Sequence, residues 1–353
     1  MSFLFGVYPG GAAGNDAGGL ARGVPDDPAS VHAVLDDLQG PDGTPLLVRC
    51  YAPFTDEAGP GRTDIAAPTR GELYAVNGRL LDLVLQYQSR SGDIEGYAEF
   101  VRNAIQRYGA VTRTVQITEE PNVTGNATLD GDYPDVLRAI VAGVQAANGE
   151  ARRRGFGHLR IGTNTTPLFG PSAGFYMELV KLGGAALVDG LQYIGLDMFP
   201  DAFRPLRNET IRTGTTGLLR YHRRDVLAPA GLGHLPLHIT EHGWPTGPDR
   251  TPDRQASVIR DVIESVLEQK DELNIAAYEL FSLRDADSSN PDMFHQFGIM
   301  TDAYLPKAAY GVFKDLLTEH VRPEGVSPGF GTLPTAGATS RSSLHPASPY
   351  VIY

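Results

Sequence analysis

Two glutamates in this chain stand where acid–base chemistry could be done. Glu120 lies in Gln116-Ile117-Thr118-Glu119-Glu120-Pro121-Asn122, and Glu241 in His238-Ile239-Thr240-Glu241-His242-Gly243-Trp244-Pro245-Thr246. Each closes a short apolar run that reads as a strand, and proline or glycine follows at once. A single glutamate after a strand is more often a surface or capping residue. Two of them, each with Pro, Gly or aromatic neighbours, argue for a shared task. One carboxylic acid can protonate a departing oxygen while a second carboxylate faces a carbon that is gaining positive charge. Cleavage of a glycosidic bond needs that combination, because its transition state is oxocarbenium-like.

Such a pair works only if the fold brings the two strand ends together. Apolar runs at 3–8, 46–51, 81–87, 114–118, 159–162, 191–198, 237–240 and 275–281 read as eight strands. Between them, apolar stripes at three-and-four spacing predict helices over 30–38, 94–108, 133–153, 175–187, 216–227, 254–270 and 307–317. The stretch 54–79 is rich in Gly, Pro and Thr and reads as a long loop over the mouth, with a turn at 72–76. The alternation predicts an α/β chain folded as one (β/α)₈ TIM barrel over 1–320, followed by an irregular Pro/Gly/Ser-rich tail over 321–353. A doubly wound sheet would open a helix on a glycine-rich turn after the first strand. Here Pro9-Gly10-Gly11-Ala12-Ala13-Gly14 leads into the irregular segment 15–28 instead. In a barrel the site forms at the C-terminal ends of the strands, where both glutamates fall.

These motifs resemble clan A of the glycoside hydrolases, barrels with an acid/base glutamate on strand four and a nucleophile on strand seven. The clan's Asn-Glu-Pro maps onto Glu119-Glu120-Pro121, and Thr-Glu-x-Gly-Trp-Pro-Thr, familiar from β-glucanase-like members, onto Thr240 to Thr246. Phe281-Ser282-Leu283-Arg284-Asp285, Phe297-Gly298-Ile299-Met300 and Leu305-Pro306-Lys307-Ala308-Ala309-Tyr310 also look like this clan. The resemblance implies hydrolysis with retention, through a glycosyl-enzyme intermediate on Glu241 with Glu120 as acid/base. It also places Arg49 beside the nucleophile, where its charge favours the carboxylate, and Asp197, Phe199 and Asp285 near the sugar.

Three positions depart from the clan's pattern. Glu119 replaces the asparagine that bonds the sugar 2-hydroxyl, Phe199 replaces a tyrosine that bonds the nucleophile, and Leu280 falls where a tryptophan forms the floor. An ionised Glu119 accepts hydrogen bonds and donates none. It can meet a hydroxyl, pair with a cation such as the 2-ammonium of an amino sugar, or turn to Arg49. Strict alternation puts Gln116, Thr118 and Glu120 on the inner face and Glu119 on the outer, so the strand end must bulge or twist for both glutamates to reach a sugar. Tyr8 and Tyr51 follow strands and either line the pocket or serve the scaffold. Trp244, the single tryptophan, stacks on a sugar or packs under the seventh loop, and Asn122 bonds a hydroxyl or caps its loop.

Composition narrows the partners. The 353 residues are 41% hydrophobic and carry a net charge of −12, with a pI near 5.2. Nucleic acid is not expected, since phosphate binding needs clustered cations. The one dense basic run, Arg152-Arg153-Arg154, suits a helix C-terminus. The single cysteine, Cys50, excludes an internal disulfide, and its apolar run makes it a core residue. No His-x-His occurs in any strand and the nine histidines are scattered, so neither a metal nor another cofactor is expected. No apolar stretch reaches the roughly 18 residues of a membrane span. The opening residues carry no basic, long-apolar leader, so the expected location is cytoplasmic unless a leader was removed. The expected partner is a carbohydrate or glycoside. Two other readings of the same residues are a transglycosylase and a non-catalytic carbohydrate-binding barrel.

Overall fold

Leucine, valine and isoleucine dominate the eight runs, and turn formers bound them, so each becomes a strand. The computed structural model describes residues 3–40, 43–56, 73–206 and 210–320. Its barrel strands are β1 (Leu4–Val7), β2 (Leu46–Thr55), β3 (Leu80–Gln88), β4 (Thr112–Ile117), β5 (Arg160–Thr165), β6 (Tyr193–Asp197), β7 (Leu237–His242) and β8 (Ile275–Leu280). Every pairing is parallel and follows chain order, and Leu4 of β1 lies opposite Ala277 of β8. The sheet therefore closes into an eight-stranded barrel.

Seven helices are described: α1 (Pro28–Gln39), α2 (Ile94–Tyr108), α3 (Val136–Arg154), α4 (Phe175–Gly190), α5 (Ile211–Tyr221), α6 (Pro252–Gln269) and α7 (Ala308–His320). Their starts are set by side chains that take up free N–H groups, such as Asp93 accepting from Gly96 and Thr251 from Arg254. The apolar core lies between these helices and the outward faces of the strands. Gly143 lets α3 come close to β4, since a side chain there would strike Ile117 and Tyr97. Cys50 is buried, and Arg153 and Arg154 pair with Glu150 at the end of α3.

Three boundaries differ from the sequence reading. The helix expected from 133 begins at Val136, because Pro134 keeps Tyr133 extended, at φ −108° and ψ 145°. The helix expected from 216 begins earlier, at Ile211, where Thr210 accepts from the Thr213 N–H and opens α5. Strand β2 runs on to Thr55, through Pro53. Its pairing with β1 ends at Val48 while that with β3 continues to Thr55, so Pro53 lies beside an unpaired edge where its missing N–H is tolerated. The irregular first loop contains a small hairpin, Ala13–Gly14 against Leu20–Ala21. The tail from 321 and most of the 54–79 loop lie outside the described residues.

Candidate active site

The end of β4 does not continue the alternation of its strand. Thr118 and Glu120 both have left-handed backbones, at φ 67° and φ 44°. Two such residues around Glu119 turn its side chain inward. The conformation is held from outside the strand: Asp130 Oδ2 accepts from the Glu119 N–H at 2.8 Å and from the Tyr87 N–H at 2.7 Å. Asn164 Oδ1 accepts from the Glu120 N–H at 3.0 Å. The expected twist is therefore present, and Glu119 and Glu120 both line the cavity at the barrel mouth.

Glu241, at the end of β7, lines the same cavity. Its Oε1 accepts from Arg49 Nε at 3.2 Å and from the Tyr51 hydroxyl in a short hydrogen bond. Arg49 is buried beneath the cavity floor and serves several acids at once. It donates to Asp82 at 2.5 Å and to Glu119 Oε2 at 3.0 Å, and Gln116 Nε2 also reaches Glu119 Oε2, at 2.5 Å. Glu119 thus turns to Arg49 without leaving the cavity wall. A register shift between β6 and β7 sets Asp197 directly opposite Glu241. Asp197 accepts from Thr240 Oγ1 at 2.6 Å and, in a short bond, from Asn164 Nδ2.

Burial raises the carboxyl pKa values. Glu241 is pushed up to about 7 by desolvation and the charge of Asp197, against the lowering pull of Arg49 and the Tyr51 hydrogen bond. Arg49 therefore moderates the shift without cancelling it. Glu120 is raised well above the usual carboxylate range by desolvation, then by Asp197 and Glu241. Glu119 and Asp197 move upward too, mainly through desolvation. Oxygens of Glu119, Glu120 and Asp197 lie within 4.8 Å of one another, a spacing that could hold a metal ion. However, Arg49 and Gln116 already occupy one Glu119 oxygen, and Thr240 and Asn164 engage Asp197.

Tyr8, Tyr51, Asp197 and Phe199 line the cavity as expected. Four other candidates do not: Arg49 lies behind the lining, and Asn122, Trp244 and Asp285 serve the scaffold. Asn122 exchanges hydrogen bonds with Thr166 and ties the β4 loop to the β5 loop. Trp244 is 4% exposed, with the Arg250 guanidinium 5.0 Å from its ring centre, and packs under the seventh loop. Asp285 is buried in an ion pair with Lys307 at 2.7 Å. The floor position also moves: Leu280 is core, and Phe281 lines the cavity, stacked on Tyr8 at 5.1 Å.

Asn164 and Gln86 were not singled out by the sequence, and Phe281 entered only as part of a motif, yet Gln86 and Phe281 line the cavity and Asn164 holds Glu120. Asn164 stands in Thr163-Asn164-Thr165-Thr166, a polar run just past the predicted end of the fifth strand, and strand β5 in fact reaches Thr165. That polar run was the available signal.

No family model and no curated protein sequence matches this chain. Solved structures do. A β-glucosidase from Exiguobacterium marinum shares 12% identity at a TM-score of 0.57, over 91% of this chain and 99% of that one. A glucosidase from Croceicoccus marinus shares 14% at 0.58, over 90% and 71%. An active-site mutant of the Rhizomucor miehei β-1,3-glucanosyltransferase, in complex with laminaritriose, shares 15% at 0.54, over 87% and 96%. At such identity the likeness is one of architecture, and what this chain shares with these proteins is the (β/α)₈ barrel fold.

Proposed function

We propose that this protein is a retaining glycoside hydrolase with Glu241 as nucleophile and Glu120 as acid/base. The observation that carries the reading is the unequal setting of two glutamates in one cavity. Glu241 is fixed by Arg49 and Tyr51, while Glu120 is anchored through its backbone and faces open space. A nucleophile must be held at the anomeric carbon and be ionisable, and donors from a cation and a phenol serve both needs. An acid must hold its proton near neutral pH, which the raised pKa of Glu120 provides.

In the first step Glu120 gives its proton to the glycosidic oxygen as a Glu241 oxygen attacks the anomeric carbon. The carbon–oxygen bond breaks and the alcohol leaves, with the sugar now an ester of Glu241. In the second step the Glu120 carboxylate takes a proton from water as the water oxygen attacks the same carbon. Glu241 is released, and two inversions leave the configuration retained.

A panel of aryl glycosides differing in the sugar, with Glu241→Gln as control, tests the activity. Glu241→Ala loses nearly all turnover, and a 2-fluoro-sugar inactivator labels Glu241 in the unsubstituted protein. Glu120→Ala keeps activity on glycosides with good leaving groups, and azide accelerates it to give a glycosyl azide. Labelling of another residue, or inversion at the anomeric carbon, would overturn the mechanism.

A further inference from the structure

The cavity has a volume of about 1230 Å³, above the roughly 300–1,000 Å³ of ordinary small-molecule pockets, and its two sides differ in chemistry. On the side of β1, β3 and the β4 loop it is lined by Asn15, Asp16, Gln86, Asn126 and Thr128. Gln86 is 4% exposed, yet among the described residues its Oε1 has no donor, while its Nε2 reaches the Thr128 carbonyl at 3.4 Å. A buried acceptor left open at a cavity wall suits a sugar hydroxyl.

The opposite side, formed after β5, β6 and β8, is aromatic. Phe169 is 56% exposed and stacks on Tyr221 with ring centres 5.1 Å apart. Phe203 is 50% exposed and lies 5.3 Å from Phe199, 5.9 Å from Phe294 and 6.1 Å from Phe297. Phenylalanine has no polar end with which to meet a hydroxyl. Of the charged side chains there, Asp201 bonds Arg254 and the Leu206 N–H and Arg250 bonds the Ala202 carbonyl, while Arg204 lines the cavity as an exposed cation at its rim. Apolar rings gathered at half exposure around a cavity mark a surface that a ligand covers.

Glu120 fixes which part of the substrate meets that wall. It follows β4, but its backbone is tied to Asn164 of β5 and a carboxyl oxygen lies within 4.8 Å of one of Asp197 of β6, so the acid leans toward the aromatic side. Glu241 ends β7, but Arg49 and Tyr51 of β2 draw its carboxylate toward the polar side. The group that receives the proton of Glu120 is the leaving group. We infer that the leaving group of the natural substrate is an apolar aglycone, an aryl or long-chain alkyl group seated against Phe169, Tyr221 and Phe203, and not a second sugar. A second sugar can lay a C–H face on such rings, but Phe169 and Phe203 give its hydroxyls no partner, so it gains less from this wall than an apolar aglycone does. The inference rests on the glycosidase reading given above.

The test compares octyl glycoside, methyl glycoside and disaccharide of one sugar, the one best cleaved in the aryl panel. The octyl and methyl leaving alcohols are of similar basicity and a sugar hydroxyl is a somewhat better leaving group, so a faster octyl glycoside reports how the aglycone is bound. Expected is a kcat/KM for the octyl glycoside at least about tenfold above the other two. Phe203→Ser and Phe169→Ser each pull the octyl-to-methyl ratio toward one. A disaccharide cleaved faster than the octyl glycoside, or a ratio indifferent to both substitutions, overturns the inference and leaves the hydrolase standing. A second arm needs no turnover: 2-naphthol, followed by its own fluorescence, binds the unsubstituted protein and binds about tenfold more weakly to each serine variant. Absent binding, or equal binding by all three proteins, counts against the apolar wall. Binding lost on substitution, in a protein that cleaves no glycoside, sustains the wall and refutes the hydrolase.

Discussion

Arg49 is the residue on which the candidate site turns. One buried guanidinium bonds Asp82, Glu119 and Glu241, and no single acid receives its whole charge. Glu241 consequently keeps a pKa of about 7, and a second donor, Tyr51, matters more than it would beside a dedicated cation. The tyrosine missing at Phe199 is replaced from another strand, since Tyr51 of β2 supplies the hydroxyl. Two substitutions should move the acid limb of the pH profile in opposite directions. Because the Tyr51 hydrogen bond lowers the Glu241 pKa, Tyr51→Phe moves the limb upward from about pH 7. It also reduces kcat/KM by about 10- to 100-fold, the worth of a hydrogen bond to a charged group. Asp197→Asn removes a negative neighbour and moves the limb downward. Profiles of kcat/KM on a substrate with a good leaving group measure both, and shifts of the same sign would refute the electrostatic account.

At the scale of the element, the end of β4 shows what periodicity leaves out. Strand existence was legible from the apolar runs, and so was the placing of Glu120 and Glu241 at strand ends. The direction of Glu119 was not, because it depends on two left-handed residues held by Asp130 and Asn164. Asp130 lies 11 residues from Glu119, beyond any local pattern. Asp130→Ala would strip two buried backbone N–H groups of their acceptor. We expect a loss of about 2–5 kcal/mol in stability, read by urea denaturation. Turnover should fall as well, since both glutamates are re-aimed. An Asp130→Ala protein of unchanged stability would show that the strand end holds itself. Trp244 gives the complementary lesson: its motif located the strand-seven turn correctly, but burial beneath Arg250 decided that the ring faces the scaffold.

For the whole molecule, the barrel interior concentrates acid. Glu119, Glu120, Asp197, Glu241 and Glu279 all have raised pKa values, chiefly through desolvation. A carboxyl whose pKa is higher folded than unfolded holds a proton that the unfolded chain releases between the two values. Stability therefore falls as pH rises through that window. For Glu241 the window runs from the ordinary carboxyl value of 4.5 to about 7, worth about 3 kcal/mol by linkage. Acids with lowered values, such as Asp56 at about 2, act only at lower pH. Buried His222, His238 and His242, held down to about 3 by desolvation, pull the other way, because the unfolded chain takes up their protons below about pH 6.5. The acid contribution is therefore read as a difference. Glu241→Gln should raise the urea midpoint, relative to the unsubstituted protein, more at pH 8 than at pH 5.5, and an equal change at both would contradict a buried, protonated Glu241.

The sequence by itself determined the alternation of strands and helices, the closing of eight strands into a barrel, and the two glutamates at strand ends. Those follow from local rules: apolar period, turn formers, and the position of a residue relative to the strand it ends. Tertiary structure alone decided which polar side chains meet. Arg49, Glu119 and Glu241 are joined across 70 and 192 residues of chain, and the Asp197–Glu241 pairing depends on a register shift between β6 and β7. The aromatic wall draws on loops after three different strands. Contacts of that kind carry no periodic trace, because they arise only when the barrel brings its strand ends to one mouth.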